Sequence, residues 1–272
     1  MCALTLEQSK YLLDFEGFSE GDILFLEKYQ NDMRLLEDNP ELSKYWDSRR
    51  RIIEACCFIV DMVYMGYSGD IDVQACVKKG VDAWVDNFCG DWWKEDEGST
   101  RLMDKSNSCD DRLWFETYSY GLFLALLAER WEDIDRVSQW IDWDMGLSYM
   151  GDTKSDYDFA MIYYKLAEQL RSTDMPGIEK LEKLAKKFAK GPLLLYQALM
   201  AAAEGNQDEF DDFFTKALKH EARTKPPSSH FARVRPYFSV VAMTARRLGM
   251  TLPELEPKLD ARLILPEKLG LK

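Results

Sequence analysis

Gly121-Leu122-Phe123-Leu124-Ala125-Leu126-Leu127-Ala128-Glu129-Arg130-Trp131-Glu132-Asp133-Ile134 decides the fold. No charge falls between Glu116 and Glu129, and an acidic segment with a new apolar spacing follows almost at once. A helix that is apolar almost all round belongs in a core. A connection this short forces the next helix to lie antiparallel beside it. The stretch Leu194-Leu195-Tyr196-Gln197-Ala198-Leu199-Met200-Ala201-Ala202-Ala203-Glu204-Gly205-Asn206-Gln207-Asp208-Glu209-Phe210 repeats the order of apolar helix, short turn and acidic helix. Both read as αα-hairpins, and the small side chains of Ala201, Ala202 and Ala203 allow close helix approach.

Working outward from these hairpins, 3.6-residue periodicity favours helix nearly everywhere. Residues 19–38 form one expected helix, with Ser19 as its cap and Asp22 as the acidic third residue after it. Asn39-Pro40 stops it, and Pro40 suits the first position of the next helix. That helix runs to about residue 65, with Ile52, Ala55, Cys56, Ile59, Val60 and Val63 on one stripe and Asp47, Glu54 and Asp61 on another face. Gly66 and Gly69 break the chain. A third helix spans residues 70–89 and buries Val73, Cys76, Val77, Gly80, Val81, Trp84 and Phe88. Residues 90–111 form the largest irregular segment. Helices are then expected over 112–128, 131–143, 156–171, 176–190, 192–204, 208–221 and 230–248. No Asn-Gly or Asp-Gly hairpin signal occurs. The resulting fold class is all-α: an irregular stack of antiparallel helical hairpins, tetratricopeptide-like in part but without a strict period. The whole chain, 1–272, reads as one compact domain.

The bulk numbers agree. Of 272 residues, 46% are hydrophobic and 31% charged, a globular balance. Net charge is −13, and it is unevenly spread. Residues 1–160 hold 16 basic and 34 acidic side chains, a net of −18, whereas residues 161–272 carry +5. An acidic body repels nucleic-acid phosphates and speeds encounter with basic partners. The six cysteines, Cys2, Cys56, Cys57, Cys76, Cys89 and Cys109, contain no C-x-x-C pair, and adjacent Cys56 and Cys57 suit buried thiols. The opening Met1-Cys2-Ala3-Leu4-Thr5-Leu6-Glu7 lacks the basic start and apolar core of a secretory leader. The longest apolar run falls far short of the ~20 residues that cross a bilayer. A reduced, cytoplasmic protein is expected, without membrane or nucleic-acid partner.

Catalytic signatures are sparse. No Walker loop, dinucleotide glycine pattern or H-E-x-x-H motif occurs. Gly66-Tyr67-Ser68-Gly69-Asp70 misses the nucleophile elbow because position 70 is Asp. The two histidines, His220 and His230, flank the connector Arg223-Thr224-Lys225-Pro226-Pro227-Ser228-Ser229 with no nucleophile paired to them. Asp110-Asp111 with Glu116, and Asp208-Glu209 with Asp211-Asp212, place carboxylates at helix starts, where the dipole favours them. A metal-dependent enzyme built on Asp110, Asp111 and Glu116 is the minor alternative. The expectation is a non-enzyme without cofactor or metal.

Tryptophans beside carboxylates suggest a binding face. Asp91-Trp92-Trp93-Lys94-Glu95-Asp96-Glu97 and Trp140-Ile141-Asp142-Trp143-Asp144 combine aromatic anchors with an acidic rim. Such anchors dominate protein–protein hot spots. The candidate partner-binding residues are therefore Asp91, Trp92, Trp93, Glu95, Asp96, Glu97, Trp140, Asp142, Trp143 and Asp144. The competing reading is that these indoles cap the core while their acidic neighbours face water.

The last third carries a family resemblance. Ala203-Glu204-Gly205-Asn206, then Phe210 and Phe214 leading to Lys216-Ala217-Leu218-Lys219-His220, then Phe238-Ser239-Val240-Val241-Ala242-Met243-Thr244-Ala245-Arg246-Arg247-Leu248-Gly249-Met250, and finally Leu265-Pro266-Glu267-Lys268-Leu269 resemble the immunity protein 49 family of bacterial polymorphic-toxin systems. The resemblance implies an all-helical protein that binds and neutralises a cognate toxin, with no catalytic residues. Joined to the acidic body, it points to a basic toxin such as a nuclease. A helical-repeat scaffold or adaptor is the alternative.

Overall fold

The computed structural model describes residues 4–13, 15–39, 46–90, 111–141, 154–223, 234 and 236–271. Among the described residues twelve α-helices occur and no strand: α1 (Leu6–Leu13), α2 (Glu20–Asp38), α3 (Trp46–Tyr64), α4 (Val73–Cys89), α5 (Asp111–Leu127), α6 (Trp131–Ser138), α7 (Lys154–Leu170), α8 (Glu179–Ala185), α9 (Lys190–Ala203), α10 (Gln207–Glu221), α11 (Pro236–Arg247) and α12 (Pro257–Asp260). A 3-10 turn, Pro266–Lys268, follows. The all-α expectation is correct.

The centre is α3, α4 and α5. Gly66, at φ +94°, reverses the chain after α3, and Tyr67 N–H donates back to Met62 O. Asp72 caps α4 by accepting from Ala75 N–H at 2.9 Å. On α4 the expected stripe faces inward: Cys76, Val77, Gly80, Val81, Trp84 and Phe88 are buried, while Val73 at its start is half-buried. Two glycines let the three helices approach. A Cβ on Gly80 would meet Leu124 Cδ1 at 2.4 Å and Cys56 Cβ at 2.9 Å. A Cβ on Gly121 would fall 1.9 Å from Trp84 Cδ1.

From this centre an aromatic chain crosses the molecule. Ring centroids run from Trp84 to Tyr118 at 5.9 Å, to Tyr163 of α7 at 6.4 Å, and to Tyr237 of α11 at 6.0 Å. Tyr237 then stacks on Phe159 at 4.8 Å. Residues 158–167 of α7 are buried without interruption. The last long helix, α11, packs on α5, α7 and α9, so the chain's C-terminal third is built into its middle.

The two sequence hairpins close with the same turn. Arg130 N–H donates to Ala125 O, and Asn206 N–H to Ala201 O; Glu129 and Gly205 hold the left-handed position at φ +52° and +73°. Asn206 also accepts from Glu209 N–H as the cap of α10. The Ser19–Asp22 capping box of α2 forms as expected, with Asp22 N–H to Ser19 Oγ at 3.1 Å and Ser19 N–H to Asp22 Oδ2 at 2.7 Å.

Several boundaries differ from expectation. Residues 176–190 are not one helix: Gly177, at φ +82°, sits in a turn, α8 covers only Glu179–Ala185, and Lys190 already belongs to α9. Helix α6 ends at Ser138, and residues 142–153 lie outside the described set. Helix α11 starts at Pro236, which has no N–H to give and suits a helix start. Helices α1 and α12 are additional; they are too short to leave a periodic signal. They close one end, with Ser9 Oγ donating to Met65 O at 2.8 Å and Tyr64 Oη to Ala261 O at 3.1 Å. Two members of the acidic row on α3 have partners within the chain. Asp61 is 6% exposed and accepts from Val234 N–H at 3.3 Å, and Glu54 pairs with Arg50 at 2.6 Å. The side chain of Asp47 lies outside the described set.

Two outcomes follow. Gly121→Ala forces a methyl into the Trp84 ring and should cost about 3 kcal/mol by overpacking. Gly205→Ala, with open space around its Cβ, should cost only about 1 kcal/mol of left-handed backbone strain. Urea midpoints of the two variants rank them. Burial also raises the hydroxyls of Tyr64, Tyr118 and Tyr163, and lifts Tyr196 to about 12. A raised acid folds best while neutral, so this stabilisation is complete below the ordinary tyrosine value of about 10 and is lost as pH rises through the folded values. Tyrosinate absorbance from these residues should therefore appear together with loss of helical circular dichroism and not before it.

Candidate partner-binding face

Helix α2 is a peripheral element. Its inner face buries Leu26 and Tyr29 against α3, with Tyr29 and Phe58 centroids 5.5 Å apart. Burial pushes the Tyr29 hydroxyl up, and Glu54 nearby adds to that. Among the described residues, α3 is the helix against which α2 packs most extensively. On the opposite face of α2, Leu24 is 64% exposed and Leu35 53%, among exposed Glu20, Glu27 and Asp38, with Lys28 and Arg34 exposed on the same helix. These three carboxylates, and exposed Asp70 in the turn before α4, form no ion pair among the described residues.

Between α2, α3 and α4 lies an open groove of about 470 Å³. Met33, Ile59, Ile71 and Cys76 contribute its apolar surface, while Arg34, Asp70 and Asp72 supply polar edges. The Glu37–Lys79 ion pair, at 2.5 Å, ties α2 to α4 across it. Isolated apolar side chains on a surface are ordinary. Two exposed leucines and several charged side chains thus stand on one helix beside an open groove.

Of the candidate residues, only Trp140 lies within the described set; Asp91, Trp92, Trp93, Glu95, Asp96, Glu97, Asp142, Trp143 and Asp144 lie outside it. Trp140 is half-buried against the core, so its indole covers apolar side chains. Its neighbour Cys89 links it to the end of α4: burial raises that thiol, while Arg136 and Trp140 act to lower it. Residues 90 and 141 follow the ends of α4 and α6, two helices that contact each other.

The remaining candidates are placed plainly. His220 packs beside Gly191, whose Cβ would come 2.8 Å from its Cδ2; His230 lies outside the described set. Asp208 and Glu209 occupy the first turn of α10, Asp211 accepts from Gln207, and Asp212 pairs with Lys216. Asp110 and the side chains of Asp111 and Glu116 lie outside the described set. Among the described residues no group of three or more His, Cys, Asp or Glu is arranged to hold a metal. Cys56, Cys57, Cys76 and Cys89 are free thiols. The neighbouring Cys76 and burial raise the Cys56 thiol, and burial raises Cys57, so neither is an activated nucleophile. Among the described residues no helix is long and apolar enough to cross a membrane.

The exposed leucines of α2 should be separable from the core by mutation. Leu24→Gln and Leu35→Gln should change stability by less than about 0.5 kcal/mol, as surface substitutions do. Leu26→Ala, two residues along the same helix, should lose about 2–5 kcal/mol. Chemical denaturation of the three variants checks this. A scan against protein-family models, a search of curated proteins and a search of solved structures each find no match to this chain.

Proposed function

We propose that this chain is a cytoplasmic binding protein that neutralises a basic bacterial toxin, such as a nuclease, by covering its working surface. The observation that carries the reading is the outer face of α2, where Leu24 and Leu35 stand among Glu20, Glu27 and Asp38, with Asp70 on the nearby groove. Unpaired carboxylates are cheaply desolvated only against cations, and they steer a basic partner toward the platform. The exposed leucines supply apolar anchors. Helix α2, about 28 Å long at ~1.5 Å per residue, together with the groove, has the scale of a patch of roughly 800 Å² per partner. The resemblance of the last third to the immunity protein 49 family gives the biological direction. The −18 carried by residues 1–160 supports the choice of a basic partner.

The test pairs rescue with kinetics. Cells producing the toxin encoded beside this gene should survive when the chain is co-expressed. The combined substitutions Glu20→Lys, Glu27→Lys, Asp38→Lys and Asp70→Lys should slow association about tenfold or more at low salt, with unchanged Tm, and raising salt should shrink the difference. Absence of protection, together with a host pull-down that recovers no toxin, rejects the reading. The groove also favours a second one, an adaptor that grips an extended peptide. In that case, unfolded fragments of the partner bind as well as the folded protein.

A further inference from the structure

Away from α2, on the side formed by the α5–α6 turn and the end of α11, lies a cleft of about 250 Å³. Leu126 and Met243, 1% and 4% exposed, give it an apolar floor. Trp131 and Pro266 line it, and Glu129, Arg246 and Arg247 complete it. Its two arginines differ in kind. Arg246 is committed: it forks onto Glu267, with Nη2 to Oε1 at 2.7 Å and Nη1 to Oε2 at 3.1 Å. Arg247 has no carboxylate or hydrogen-bond partner among the described residues; its Cζ rests 4.9 Å from the centroid of the Trp131 ring. Stacking engages the face of a guanidinium and leaves its in-plane N–H fork free. The stack also removes much of the rotamer freedom that an anion would otherwise have to freeze out. The end of α11 would favour any cation there, but the helix dipole alone does not require a planar one laid on an indole.

The turn beside it is strained. Glu129 adopts φ +52°, where the equivalent position of the α9–α10 hairpin has Gly205. An acidic side chain is thereby held at the cleft against backbone preference, a feature that clusters at functional sites. Arg246 and Glu267 neutralise each other, and Glu129 opposes the charge of Arg247, so one added negative charge meets less repulsion in the cleft than the two of a phosphate dianion.

We propose that this cleft is a binding site for a carboxylate carried on an apolar body: Arg247 holds the carboxylate by its fork, and Leu126, Met243 and Trp131 receive the aliphatic part. The C-terminus of a peptide ending in leucine and a free N-acyl amino acid share this chemistry. The site is independent of the acidic platform on α2, and its failure leaves that reading untouched.

Isothermal titration of the full chain tests it with acetyl-Ala-Ala-Leu, its C-terminal amide, N-acetyl-leucine and inorganic phosphate. The free-acid peptide should bind, and the amide about tenfold or more weaker. Arg247→Ala should abolish binding, and Arg247→Lys should restore only part of it, because an ammonium cannot offer the fork. The Trp131 indole N–H resonance, assigned by its loss in Trp131→Phe, should move with the acid and stay put with the amide. This reports occupancy even if an Arg247 variant proves unstable. Tighter binding of the peptide than of N-acetyl-leucine assigns a peptide terminus; equal binding assigns a small carboxylate. Equal affinity for acid and amide, displacement by phosphate at equal concentration, or no binding at millimolar ligand overturns the proposal.

Discussion

The close approach of α4 to its two neighbours is the constraint on which the rest depends. Gly80 admits Leu124 and Cys56, and Gly121 admits the indole of Trp84; any side chain at either position would hold the helices apart. Trp84 is fully buried there, and it starts the line of rings that passes through Tyr118 and Tyr163 to Tyr237. Interiors packed at crystal-like density transmit a displacement at one contact to the next. Helix α11 is therefore positioned by an interaction formed in the first half of the chain.

That arrangement sets what the surface offers. With α3 also packed against α4 and α5, α2 covers one flank of it, and Leu24 and Leu35 on its outer face are exposed among the described residues. Among the described residues, Glu20, Glu27 and Asp38 of that helix form no ion pair. At the other end of the stack, insertion of α11 beside α5 brings Arg247 onto Trp131 and Arg246 toward Glu267. The cleft is a consequence of topology, since its walls come from the α5–α6 turn, α11 and the terminal 3-10 turn.

Much of the fold was legible where the signal was local. The Ser19–Asp22 box and the apolar stripe of α4 are set by neighbours within one turn, and both formed largely as read. Boundaries failed where proline and left-handed glycine competed with periodicity, as at Pro176-Gly177. A spacing of seven put the α3 acids on a common face without saying whether that face meets water; Asp61 meets a backbone N–H. The site was less legible. Trp140 is partly buried against the core, while Leu24 and Leu35 drew no notice because single leucines on a helix usually point inward.

The amino-acid sequence by itself determined that the chain is helical, that its helices pair through short turns, and that its negative charge lies toward the N-terminal side. These properties follow from periodicity, capping chemistry and composition, which act over a few residues or over none. Only the tertiary structure decided which leucines stay exposed, which acids stay unpaired, and that Arg247 meets Trp131 across more than a hundred residues of chain. Those outcomes depend on which faces remain after the helices have packed, and packing is a competition among all of them at once.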